Sequence, residues 1–141
     1  MKAFFHDTMV NAPPETIWHL LTDAAGYSRW HPEFTTVIGT IAAGENVTLL
    51  RETAPKEAVV KVTSLDPQHR MVMTSSGGLP AALLTVERTV LLSCIEAGAV
   101  RVCQRLEFSG TMAETVLKSV PDQQSILERI GEALKKAAEA R

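Results

Sequence analysis

The chain has 141 residues, 45% of them hydrophobic, with a formal net charge of -2 from 14 Lys and Arg against 16 Asp and Glu. That length suits one domain, residues 1–141, able to bury about two thirds of its unfolded surface without disulfide staples. No basic stripe of the kind that nucleic acid or anionic lipid demands is present, and no apolar run is long enough to span a bilayer.

The N-terminus, "MKAFFHDTMVNAPPE", has short apolar pieces interrupted by His6 and Asp7 rather than the continuous apolar core of a signal peptide, so a cytoplasmic location is expected. Residues 3 to 11 alternate in the manner of a first strand, with Phe4, His6, Thr8 and Val10 on one side. Pro13-Pro14 ends it, and Pro14 is placed to open a helix on which Ile17, Leu20, Leu21 and Ala24 follow at helical spacing. Asp23 is positioned to cap a second short helix through Tyr27, which His31-Pro32 must stop because a residue before proline avoids the helical region.

From Phe34 to Gly110 short runs rich in Val, Thr, Leu and Ile predict six strands, near 34–40, 46–53, 57–66, 69–75, 83–95 and 100–109. They are divided at Ala43-Gly44, Ala54-Pro55, Asp66-Pro67, Gly77-Gly78 and Ala97-Gly98, connections too short for parallel crossovers, so an antiparallel meander is expected. "TMAETVLKS" is a helical lead-in. Pro121 then breaks continuity and starts a long amphipathic helix with Ile126, Leu127, Ile130, Leu134, Ala137 and Ala138 on one stripe. The order predicts an α+β fold in which a curved sheet grips one helix.

Cys94 and Cys103 are not spaced for zinc or for a C-x-x-C redox pair, and are expected to be buried free thiols. No metal site and no cofactor is expected. Ser75, Ser76, Gly77 and Gly78 lack the Lys-Ser/Thr tail and following helix of a phosphate loop and are taken as a turn.

The element order and the stretch "NAPPETIWHLLTDAAGYSRWHP" resemble the SRPBCC superfamily, which includes START lipid-transfer domains, bacterial polyketide aromatase/cyclases and the major birch-pollen allergen. The matching residues are Val10, Ala12 and Pro13; Ile17 and Trp18; then Asp23, Tyr27, Trp30 and Pro32. "KVTSLDPQHRMVM" is similar to that superfamily's strand-turn-strand, "EAGAVRVCQRLEFSG" to its last hairpin, and "ALKKAAEAR" to its closing helix. The resemblance covers the whole chain. It implies a helix-grip fold: a curved seven-stranded antiparallel sheet wrapped around a long C-terminal helix, with two short helices after strand 1. It implies no single activity, because the superfamily hosts binding, transfer and catalysis alike.

The inward face of the last hairpin follows from its turn. With Glu96-Ala97-Gly98 as a three-residue loop and Gly98 left-handed, Ile95 pairs with Ala99, Cys94 with Val100, Leu92 with Val102, Val90 with Gln104, Arg88 with Leu106 and Val86 with Phe108. The face is apolar except for Arg88 and Gln104, while Glu87, Thr89, Ser93, Arg101, Cys103, Arg105 and Glu107 face water. An inward Arg88 must meet an acid, a ligand carboxylate or carbonyl, or the cavity mouth; a two-residue loop would turn it outward instead, opposite Glu107. Cys94 is inward and Cys103 outward in this register, so they cannot bridge.

Tyr27, Trp30 and Phe34 cluster where the superfamily's cavity opens, either as a stacking surface for a flat ligand or as plain packing, which is also the role expected of Trp18. Met112 and Leu117 are candidates for the opposite wall, and His6, on the side of Phe4 and Val10 taken as inward, is either a hydrogen-bonded core residue or a ligand contact. The leading expectation is binding of a hydrophobic or aromatic small molecule in an internal cavity lined by these residues. A polyketide-cyclase type of enzyme is the second, with His6, Tyr27 and Arg88 as its acid/base candidates, and a protein-interaction domain with a filled cavity is the third. Partners are thus a hydrophobic small molecule, without nucleic acid or membrane insertion, and the oligomeric state is open between monomer and homodimer.

Overall fold

A computed structural model describes residues 1–53, 56–76, 78–96 and 98–140. The turns expected at Ala54-Pro55, Gly77 and Ala97 therefore fall wholly or partly outside the described residues. The elements are β1 (Lys2–Val10), α1 (Pro14–Thr22), a 3-10 turn (Ala24–Gly26), α2 (Tyr27–Trp30), β2 (Thr36–Ile38), β3 (Asn46–Leu50), β4 (Glu57–Asp66), β5 (Arg70–Ser75), β6 (Thr85–Glu96), β7 (Ala99–Ser109), α3 (Ala113–Ser119) and α4 (Gln123–Glu139). The strands form one antiparallel seven-stranded sheet in the order β1-β7-β6-β5-β4-β3-β2, so the expected meander runs from β2 to β7. β1 joins it beside β7, a pairing that chain order does not reveal.

Local chemistry sets the helix ends. Pro13 is extended, at φ -65° and ψ 150°, and Pro14 opens α1, which buries Ile17, Leu20 and Leu21. His31 is extended ahead of Pro32 and stops α2. Asp23 does not make the expected side-chain cap. It both ends α1, giving its N–H to His19 O, and opens the 3-10 turn by accepting from Gly26 N, which leaves its carboxylate outside, 3.8 Å from Arg29. α4 begins after Asp122, not at Pro121, because Asp122 Oδ1 accepts the Gln124 N–H at 3.1 Å. Val120 is extended ahead of Pro121, so α3 and α4 are separate.

α4 lies on β1, α1 and β7, burying Ile126, Leu127, Ile130, Leu134 and Ala138 against a core that includes Val10, Ile17, Val100, Val102 and Leu106. Each buried Ile, Leu or Val side chain contributes about 1.5–3 kcal/mol. Helix and strand approach so closely at Gly131 that a Cβ there would stand 2.7 Å from His6 Nδ1.

The β6–β7 register pairs Cys94 with Val100, Leu92 with Val102, Val90 with Gln104, Arg88 with Leu106 and Val86 with Phe108, as expected, and Gly98 is left-handed at φ 79°. At the turn Glu96, not Ile95, opposes Ala99, so Ile95 is an extra residue in a bulge that preserves the register beyond it. Three burial expectations need correction. Cys94 is exposed, because its end of β6 borders a hollow beside Ala12 and Pro14, and Cys103 is half-buried, so neither thiol is a core residue. Thr89, expected in water, is buried on the outer face between Val72 and Arg105 of the neighbouring strands.

Candidate functional site

The site starts from the tight link between α2 and β2. Because α2 stops at His31, its ring turns back over the following residues, and His31 Nδ1 accepts the backbone N–H groups of Glu33 (3.1 Å) and Phe34 (3.0 Å). An Nδ1 that accepts leaves the proton of the neutral imidazole on Nε2. Burial, together with the charges of Arg88 and Arg51, holds the His31 pKa well below its ordinary value. The ring stacks on Phe34 at 4.4 Å and 8°, and on Tyr27 at 5.3 Å and 15°. Tyr27 Oη donates to Leu21 O at 2.5 Å, and burial raises its pKa. Trp30 leans on Tyr27 and His31, its buried Nε1 without a hydrogen-bond partner among the described residues.

The same link aims Glu33 inward. Its Oε2 accepts from Arg51 Nη1 and its Oε1 from Arg88 Nη2, both at 3.0 Å, with side-chain exposures of 6% for Glu33, 12% for Arg51 and 16% for Arg88. Arg51 follows β3 and Arg88 lies on β6, so three distant pieces of chain meet here. Both guanidiniums also lie over the Phe34 ring, at 5.4 and 4.9 Å from its centroid. Burial lowers the Arg51 pKa, with Glu33 opposing that shift and Arg88 adding to it. Two cations against one carboxylate leave this cluster with a charge of +1.

Beyond the cluster lies a cavity of about 820 Å³, within the size range of small-molecule sites. Its walls are mainly apolar, from Leu49 and Val60 on the sheet, through Leu84, Val86 and Phe108, to Val116, Val120 and Ile126 around the α3–α4 junction. Ser75, Ser76, Gly78 and Leu79 form part of the lip, and Ser75 Oγ accepts the Val86 N–H at 3.0 Å.

Of the residues expected to touch a ligand, Arg88 lines this cavity. Tyr27, Trp30, Phe34, Val90 and Gln104 surround, with Arg88, a separate inner space of about 50 Å³, room for a water or so and little else. Gln104 Nε2 donates to Leu127 O at 2.9 Å, so α4 satisfies it. Leu92 and Leu106 are core residues. His6 meets Thr8 Oγ1 at 3.2 Å under α4. Met112 is half-buried at the start of α3, and Leu117 faces a second hollow of about 480 Å³ with Lys2 and Phe4. Sequence reasoning passed over Glu33 and Arg51. Arg51 had a usable signal, since it stands two residues beyond inward Leu49; Glu33, alone between two aromatic positions, had none. Among the described residues, no three His, Cys, Asp or Glu side chains are grouped to hold a metal, and no helix is long and apolar enough to cross a membrane.

A family model described as polyketide cyclase / dehydrase and lipid transport matches residues 3–139. No curated protein sequence gives a significant match. Among solved structures, norcoclaurine synthase from Thalictrum flavum superposes with a TM-score of 0.76 at 16% identity, covering 99% of this chain and 87% of that one. A START superfamily protein from Mycobacterium smegmatis gives 0.72 at 16% identity, covering 98% and 97%. The di-domain ARO/CYC protein BexL of the BE-7585A biosynthetic pathway gives 0.75 at 17% identity, with 99% of this chain on 47% of that one. At these identities the likeness is one of fold.

Proposed function

Because the chain belongs to the polyketide cyclase/dehydrase and lipid transport family, we propose that it binds a hydrophobic or aromatic small molecule in the cavity between β3–β6 and the α3–α4 junction. The observation that carries this reading is the open volume of about 820 Å³ with apolar walls and one charged end. A domain that worked only through its surface would have closed such a volume, since unfilled space forfeits packing energy. Within this reading Arg88 and Arg51 are the polar anchors. Tyr27, Trp30 and Phe34 are the packed base that aims them.

The chemistry of the charged end favours binding over cyclase-type catalysis. A proton-transfer step needs an acid or base free to act. At the charged end the buried carboxylate of Glu33 is held by two guanidiniums, and in the adjoining inner space the Tyr27 hydroxyl is given to Leu21 O and His31 Nδ1 is taken by two N–H groups. That leaves Glu57, exposed on the cavity wall, as the carboxylate there without an ion pair among the described residues. Native mass spectrometry of the freshly purified protein, followed by denaturation and identification of released compounds, tests the reading. An apolar or aromatic compound released in stoichiometric amount is the expected result. If the folded protein releases nothing and also leaves a panel of flat and chain-like apolar compounds unbound in solution, the cavity has no such role.

A further inference from the structure

We propose that the Arg51–Glu33–Arg88 end of the cavity receives the carboxylate of an amphipathic monoacid, a ligand with one ionised carboxyl group on an apolar body. This rests on the cavity-binding reading above and adds the class of head group. The first ground is charge. Glu33 neutralises one of the two guanidiniums, and all three side chains are largely withdrawn from water. An uncompensated cation in such a place is costly, and a single bound anion would bring the cluster to neutrality. Glu57, the other carboxylate on the wall, is exposed and forms no ion pair with either arginine among the described residues.

The second ground is unused donor capacity. A guanidinium carries five N–H donors in one plane, suited to a two-point grip on a carboxylate. Arg51 and Arg88 each give one hydrogen bond to Glu33, through Nη1 and Nη2 respectively. The Arg51 Nε–H is buried with no acceptor among the described residues. Both guanidiniums are supported from the Phe34 ring, at 5.4 and 4.9 Å from its centroid, a contact that uses none of their N–H donors. The third ground is what lies next to this end. Leu49, Val60, Val86 and Phe108 form much of the wall, which suits an apolar body, and among the lining residues Arg51 and Arg88 are the cations that a carboxylate could meet.

The test is calorimetric titration of the full chain with two acid/amide pairs, 2-naphthoate against 2-naphthamide and octanoate against octanamide. Within each pair the apolar body is the same and only the charge of the head differs. At least one acid should bind about tenfold or more tighter than its amide, the scale of a hydrogen bond to a charged group. Arg51→Leu leaves Glu33 paired with Arg88 and the cluster neutral, and should abolish the preference of acid over amide. Equal binding of acid and amide by the wild-type chain overturns the head-group inference and leaves the cavity reading standing. A preference undiminished in folded Arg51→Leu overturns its assignment to this end of the cavity. If neither member of either pair binds, the inference falls together with the cavity reading. The wild-type comparison requires no variant, so it decides even if Arg51→Leu does not fold.

Discussion

The inner space around α2 and the larger cavity beside α3 and α4 are built on the same inward face of one sheet, yet the first is filled and the second open. The difference is one of side-chain volume. Around the first, Tyr27, His31 and Phe34 stack ring on ring, with Trp30, Met71 and Met73 closing the gaps. Around the second, Ala58, Val60, Ser75 and Val86 are too short to reach Val116, Val120 and Ile126 across from them. Arg88 borders both spaces. Aromatic density therefore marks where this fold is firm rather than where it is empty.

The sharpest way to break that contrast is to delete a ring from the filled side. Phe34→Ala removes a side chain 3% exposed that supports His31 and both arginines, and should cost about 3–5 kcal/mol in urea-induced unfolding. If it costs no more than a surface substitution, the inner space is not the packed region described. Glu33→Ala comes next. It strands two partly buried guanidiniums and should cost about 3 kcal/mol, whereas Arg51→Leu should cost clearly less, because Glu33 keeps one partner. Equal costs for the two would mean that Glu33 is not the hub of the cluster.

His31 gives a smaller effect with a definite sign. Its folded pKa lies below its ordinary value near 6.5, so as pH falls below about 6.5 the unfolded chain takes up a proton that the folded chain refuses. Stability contributed by the neutral ring is thus full above that pH and is lost below it, with a limiting slope of about 1.4 kcal/mol per pH unit. Unfolding midpoints measured from pH 7.5 to 5 should fall, and His31→Gln should flatten that fall; an unchanged slope would place His31 in water. The smallest effect belongs to the open side. Val116→Ala should cost about 1 kcal/mol or less, since the methyl groups removed already border empty space, and a loss equal to that of Phe34→Ala would erase the contrast.

Much of the fold was legible before any coordinates, because alternation and turn chemistry are local. The strand over residues 57–66 and the break at Pro121 follow from neighbours in sequence, whereas the inward face of Arg88, open between two loop lengths, is fixed by the register of the sheet. The cavity did not, because emptiness is a property of facing surfaces. That Tyr27, Trp30 and Phe34 gather near one another could be inferred from spacing; that their rings consume the volume between them could not. The carboxylate that meets Arg88 lies 55 residues away, and the same carboxylate meets Arg51 across 18, distances at which no periodicity pairs an acid with a base. The bulge at Ile95 escaped for a related reason, since a two- or a three-residue loop fits the same sequence until the rest of the sheet fixes the register.

The place of β1 in the sheet sets an order of assembly. Its partners run from Val100 back along β7 to Phe108, and α4 covers it from the other side. During synthesis β1 therefore stays without its mate until β7 has been made. Until then β6 or β7 must present a bare edge, and the meander from β2 onward is the part able to form early. Contacts this remote slow closure relative to a fold of local pairs. They also make the joining of β1 to β7 the step that completes the seven-stranded sheet.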